Sequence, residues 1–213
     1  MIKALLIVLC VVLYGLYYFV KTTSVMRKMT KAIDAENTAE FDALLKKYRK
    51  ELRDPDESLI IEVYEYLCHT RSITCLQVLF QHETAAEWQK IIIAAEPLNG
   101  PLVEAMYLEQ TDVLRFLLEQ GMVAEVEPCP PWLWAVKHGC VDHARVLDEF
   151  GANTITPAQQ SGLPTLEELL MDDKEWENNE DSLRAVVSYL VERGTEVPAA
   201  LLERFHMNPS AES

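Results

Sequence analysis

No stretch of useful length in this chain alternates apolar with polar residues, which excludes a sheet-built core and predicts an all-α fold. The usual signatures of chemistry are missing as well. There is no glycine-rich phosphate loop, no His-Glu-x-x-His and no Gly-x-Ser-x-Gly, and no serine falls in a recognisable order with a histidine and an acid. Of the histidines, His138 and His143 are separated by a glycine turn instead of the i, i+4 spacing of a helical metal pair. Catalytic residues, metal ligands and cofactors are therefore not expected. The cysteines form no Cys-x-x-Cys pair. Cys10 lies in an apolar run, and Cys68, Cys75, Cys129 and Cys140 are scattered, as small buried core residues would be.

Acids are wholly absent from residues 1–33, which hold Lys3, Lys21, Arg27, Lys28 and Lys31. From Asp34 onward 14 basic residues face 34 acidic ones, a balance of −20. Such a surface repels nucleic acid and favours a basic partner, and it also keeps a small domain in solution. With 49 % apolar residues the chain can build a core, and its 213 residues leave room for one domain of about 180 residues and one further segment.

That further segment is Ala4 to Val20, seventeen uncharged residues between Lys3 and Lys21. As a helix it is about 25 Å long, at the short end of what crosses a bilayer. Ala4, Leu9, Leu13, Tyr17 and Val20 would belong to this anchor, with Tyr14, Tyr17 and Tyr18 gathered at one end, where amphipathic rings favour headgroups. A cleaved export signal is the rival reading. Its apolar region runs to about 7–15 residues and ends in small residues, whereas Tyr-Tyr-Phe-Val-Lys follows here. The expectation is an uncleaved anchor, 1–28, then a helical domain, 29–207, and a disordered tail, 208–213. The side of the membrane stays open. Four basic residues after the span favour a cytoplasmic domain, while a short lysine-bearing N-terminus resembles a bacterial export signal. Met26 and Met29 also permit internal initiation.

Apolar spacing predicts helices on either side of a break at Glu36 to Thr38, a pair Leu59–Leu67 and Ile73–Phe80 joined by Thr70-Arg71-Ser72, and a helix from Trp88 to Ala95 stopped by Pro97 and Gly100. A repeat of thirty residues follows. Gly100-Pro101-Leu102 opens a stretch closing on Gly121, and Pro130-Pro131-Trp132 opens one closing on Gly151. Ala105, Asp112, Arg115 and Leu117 recur as Ala135, Asp142, Arg145 and Leu147. In each copy proline suits the first helical position and glycine the left-handed cap. A longer third copy runs from Pro164 to Gly194, its helices at Thr165–Met171 and Leu183–Val191, with an acidic, solvated insertion from Asp172 to Asp181. That insertion lacks the ligand alternation and central glycine of a calcium loop. Ala199–Phe205 makes a last helix.

These residues resemble ankyrin repeats, whose frame reads Thr-Pro-Leu-His-x-Ala-Ala-x-x-Gly-His, then Val-Val-x-Leu-Leu-Leu-x-x-Gly-Ala. Residues 99–153 fill it twice, with Val103 and Leu133 in the histidine place and Glu109 where a glycine is usual. The period of 30 is shorter than the family's about 33, which implies shortened fingers between repeats. The resemblance implies an ankyrin-like helical-repeat solenoid preceded by a single transmembrane helix, gripping a protein partner on its concave face. The gripping residues would be Glu104, Tyr107 and Leu108 with their counterparts Trp134, Lys137 and His138. Trp132 takes the buried leucine place, so Trp134 points elsewhere: either to a partner as a binding anchor, or against the neighbouring repeat or the Cys129-Pro130-Pro131 loop. In architecture the chain also resembles small repeat proteins that are held at the bacterial inner membrane and neutralise secreted antibacterial toxins, lipases included. That implies an immunity protein which occludes a toxin and takes no small-molecule substrate. A scaffold holding an envelope or stress protein at the membrane is the alternative.

Overall fold

The computed structural model describes residues 23–54, 59–95, 100–108, 110–153, 165–172, 176 and 179–207. It is helical, with no strand among the described residues. The chain forms two compact units, Met1–Glu96 and Pro97–Ser213.

The first unit opens with helix α1, residues 23–34. Val25, Met29, Ala32 and Ile33 are buried at i, i+4, i+7 and i+8, while Arg27, Lys28 and Lys31 are exposed. The basic segment expected to trail a membrane anchor is thus the solvent face of an amphipathic helix, and the boundary placed at residue 28 falls inside it. Then come α2 (Thr38–Lys47), α3 (Arg49–Leu52), α4 (Leu59–His69), α5 (Ile73–His82) and α6 (Ala85–Ala95). Helix α6 starts three residues before Trp88, because the Thr84 hydroxyl accepts the Glu87 N–H at 3.2 Å. Trp88 is buried and donates to the Leu79 carbonyl at 3.0 Å, fastening α6 to α5. Helix α2 packs on α5, and α4 on α6.

The second unit holds α7 (Pro101–Tyr107), α8 (Thr111–Glu119), α9 (Pro131–Lys137), α10 (Val141–Glu149), α11 (Leu166–Leu170), α12 (Glu180–Glu192) and α13 (Ala199–Arg204). First helices stack in one row, α7 on α9 and α9 on α11; second helices stack in another, α8 on α10 and α10 on α12. Each hairpin ends alike. Gly121, Gly151 and Gly194 have φ of +91°, +67° and +74°. The next residue's N–H returns to the helix in each case: Met122 to Leu117 at 3.1 Å, Ala152 to Leu147 at 2.7 Å, and Thr195 to Leu190 at 2.9 Å. Between copies one and two a short 3-10 turn, Ala124–Val126, stands where a longer finger would be.

The joints inside the hairpins share a second motif, and it recurs in both units. The N–H groups of Asn37, Ser72, Gln110 and Cys140 reach back to the carbonyls of Ala32, Leu67, Ala105 and Ala135. The residue before the donor is left-handed at Glu36 (φ +48°), Arg71 (+54°) and Gly139 (+70°).

Several expectations need correction. Glu180 and Asp181, assigned to a solvated insertion, form the first turn of α12, where carboxylates suit the positive helix end. Trp176, in the same insertion, is buried and donates to the Leu169 carbonyl at 3.0 Å. Cys68 and Cys75 are core residues, but Cys129 and Cys140 are only half-buried. No described helix is long and apolar enough to cross a membrane. The proposed anchor (Ala4, Leu9, Leu13, Tyr17, Val20), Cys10, Pro164 and the tail from Asn208 lie outside the described residues.

Candidate functional site

The six residues singled out for partner binding sit on the row of first helices, from the middle of α7 and α9 to the residue that caps each. Proline at the first position of each helix sets the same phase, so positions 104, 107 and 108 match 134, 137 and 138. Tyr107 is 69 % exposed. Lys137 and His138 are exposed, and Glu104, Leu108 and Trp134 are half-buried. Trp132 and Leu133, by contrast, are buried. The Trp134 ring lies 6.2 Å from Tyr107 and 4.3 Å from His138, tilted to both. Of the two readings of Trp134, the contact with the neighbouring hairpin is the one the geometry bears on. Trp134 packs on the neighbouring hairpin through Tyr107 and still shows part of its ring to solvent.

The polar network behind this surface was not foreseen. Buried Trp132 donates from Nε1 to the Tyr189 hydroxyl at 2.8 Å, tying α9 to α12. The Tyr189 hydroxyl donates in turn to Asp148, a short contact. Asp148 also forms an ion pair with Arg193 Nε at 3.1 Å and accepts from Asn153 Nδ2 at 2.7 Å. The Arg193 guanidinium covers the Trp132 ring at 4.6 Å. Burial, and after it the Asp148 carboxylate, pushes the Tyr189 phenol well above its ordinary range, so it stays protonated and donates. One signal was present: Asp148 occupies the frame position of Leu118, and an acid at an apolar position demands a buried partner.

A second tie repeats from hairpin to hairpin. Arg115 Nη1 lies 2.5 Å from Glu149 Oε2, and Arg145 Nη2 lies 2.6 Å from Glu192 Oε2. Each acid stands two residues before its closing glycine. Arg115 holds the Glu149 carboxyl below its ordinary range through their hydrogen bond.

At the other end of α7, buried Glu127 fills the space beside the helix start. A Cβ on Gly100 would meet its Oε2 at 1.5 Å, which accounts for glycine where the frame has threonine. No group of three or more His, Cys, Asp or Glu among the described residues has a geometry that could hold a metal ion. Searches against protein-family models, curated proteins and solved structures return no match.

Proposed function

We propose that this chain is a protein-binding module of ankyrin-like repeats, gripping its partner through the aromatic surface around Trp134. The observation that carries the reading is the Tyr107–Trp134–His138 cluster: adjoining rings, partly open to solvent, on the first-helix row. A large ring with solvent-facing area, held in place by packing beneath it, loses little freedom when a partner covers it. The −20 balance beyond residue 33 supports a partner with a basic surface.

In its fuller form the proposal is of an immunity protein held at a bacterial inner membrane by residues 4–20, occluding the active site of a cognate secreted toxin such as a lipase. The apolar run and its flanking lysines support the tether. The test is co-purification of the full chain from detergent extract, with Trp134→Ala and Tyr107→Ala in parallel. One stoichiometric partner, a hydrolase whose activity the chain suppresses, is expected from the wild type and lost from Trp134→Ala at nearly unchanged Tm. Capture that survives both substitutions, or a Tm that collapses with Trp134→Ala, overturns the reading.

A further inference from the structure

Alongside the aromatic surface runs an open groove of about 870 Å³. One wall is the 138–143 joint at the start of α10, and the other is the face of α12 carrying Ser182, Ala185 and Ser188. The joint presses directly on α12, since a Cβ on Gly139 would lie 2.7 Å from the Ser182 Cβ. On the α12 wall the side chains are small, at Ser182, Ala185 and Ser188, and larger ones there would narrow the trough. His138 belongs both to this groove and to the ring cluster with Trp134, so the two features form one continuous surface.

The charges in the groove have one sign to spare. Its arginine, Arg145, is engaged by Glu192 at 2.6 Å. Its carboxylates, Asp142 and Asp181, are exposed, and neither forms a hydrogen bond or close ion pair with a described residue. An open polar trough with two exposed carboxylates, of which Asp142 also lies in the field of Arg145, on a chain already strongly acidic, is complementary to a guanidinium or ammonium group.

We infer that the groove receives an arginine or lysine side chain from an extended basic segment of the protein partner, while the rings around Trp134 cover the adjoining apolar part. This rests on the reading of the Trp134 surface as a protein grip. It adds a specificity element: the rings supply contact area, and the two aspartates select for positive charge.

The test uses the full chain in non-ionic detergent, titrated with an acetylated Gly-Arg-Gly-Arg-Gly amide and with its citrulline analogue. Amide shifts at Gly139, Ser182 and Ala185 are followed by NMR. Saturable shifts with the arginine peptide alone are expected. Asp142→Asn with Asp181→Asn should weaken binding at least about fivefold, as loss of close charge pairs does. Ala185→Trp, which fills the trough without touching charge, should weaken it comparably, and Glu119→Gln with Glu203→Gln should not. Equal binding of the citrulline peptide, equal loss in the control pair, or no saturable shift in the wild type overturns the inference. Trp134→Ala separates the two ideas. If it abolishes partner capture while the aspartate pair leaves capture intact, the grip stands and the groove does not. The reverse pattern retains the groove and removes the grip.

Discussion

The indole nitrogen of Trp132 donates to the Tyr189 hydroxyl at 2.8 Å, joining residues 57 positions apart in the chain. Through that hydroxyl the buried wall behind the proposed grip is tied to Asp148, Arg193 and Asn153. Tyr189→Phe strips the donor from Asp148 and the acceptor from Trp132 while keeping the ring. A loss of about 1–3 kcal/mol is expected, the cost of leaving buried polar groups without a partner, read from chemical denaturation.

The same phenol predicts a pH effect. Its ordinary ionisation is at 10.0, and in the folded chain it is raised by burial first and Asp148 second. The stability it contributes is present below pH 10 and is lost as the pH rises beyond that value. Tm of the wild type should fall more steeply above pH 10 than Tm of Tyr189→Phe. Parallel curves would show that the hydroxyl does not govern the alkaline limb.

The Arg115–Glu149 pair acts at the opposite end of the scale. The Glu149 carboxyl is lowered from 4.5 by its hydrogen bond to Arg115, so its contribution is present above that pH and disappears as the medium is acidified through the lowered value. Glu149→Gln should flatten the acid limb of a stability curve. Both side chains are half exposed, so the difference should be small and should shrink further in high salt.

Gly139 and Gly151 share a left-handed backbone yet differ in surroundings. A Cβ at Gly151 meets nothing within 4 Å, while one at Gly139 meets Ser182 at 2.7 Å. Gly151→Ala should cost about 1–2 kcal/mol, the backbone strain alone. Gly139→Ala should cost more, and adding Ser182→Gly should recover the excess. Denaturant titration of the three variants checks this.

Arg71 holds the corresponding joint in the first unit without being glycine, at φ +54°. Arg71→Gly removes the Cβ strain and loosens the unfolded chain, two effects that partly offset each other. A gain of up to about 1 kcal/mol is expected, measured as a higher denaturation midpoint.

The joints and closings were readable because they are local. A break at Glu36 to Thr38, another at Thr70 to Ser72, and glycines at 121, 151 and 194 each depend on a few neighbouring residues, and each falls within one residue of where it is expected, Thr38 already opening α2. The backing of the site was not readable for the opposite reason. Asp148 is satisfied by a tyrosine 41 residues away, beyond a long insertion that hides the register of the third hairpin. Trp176 was lost in the same way: the acids around it set a local average that conceals one buried ring. Trp134 lay between these cases. That it departs from the core followed from the place of Trp132 two residues earlier, but its contact with Tyr107 required the neighbouring hairpin.

Arg115 and Arg145 each stand six residues before a closing glycine and clasp the acid of the next hairpin. At the matching place in α12 the residue is Ser188, whose hydroxyl turns back to Glu192 of its own helix at 3.4 Å. The arginine–acid clasp that Arg115 and Arg145 make is thus replaced at position 188 by a contact inside one helix, so this tie between hairpins is not continued from that position among the described residues.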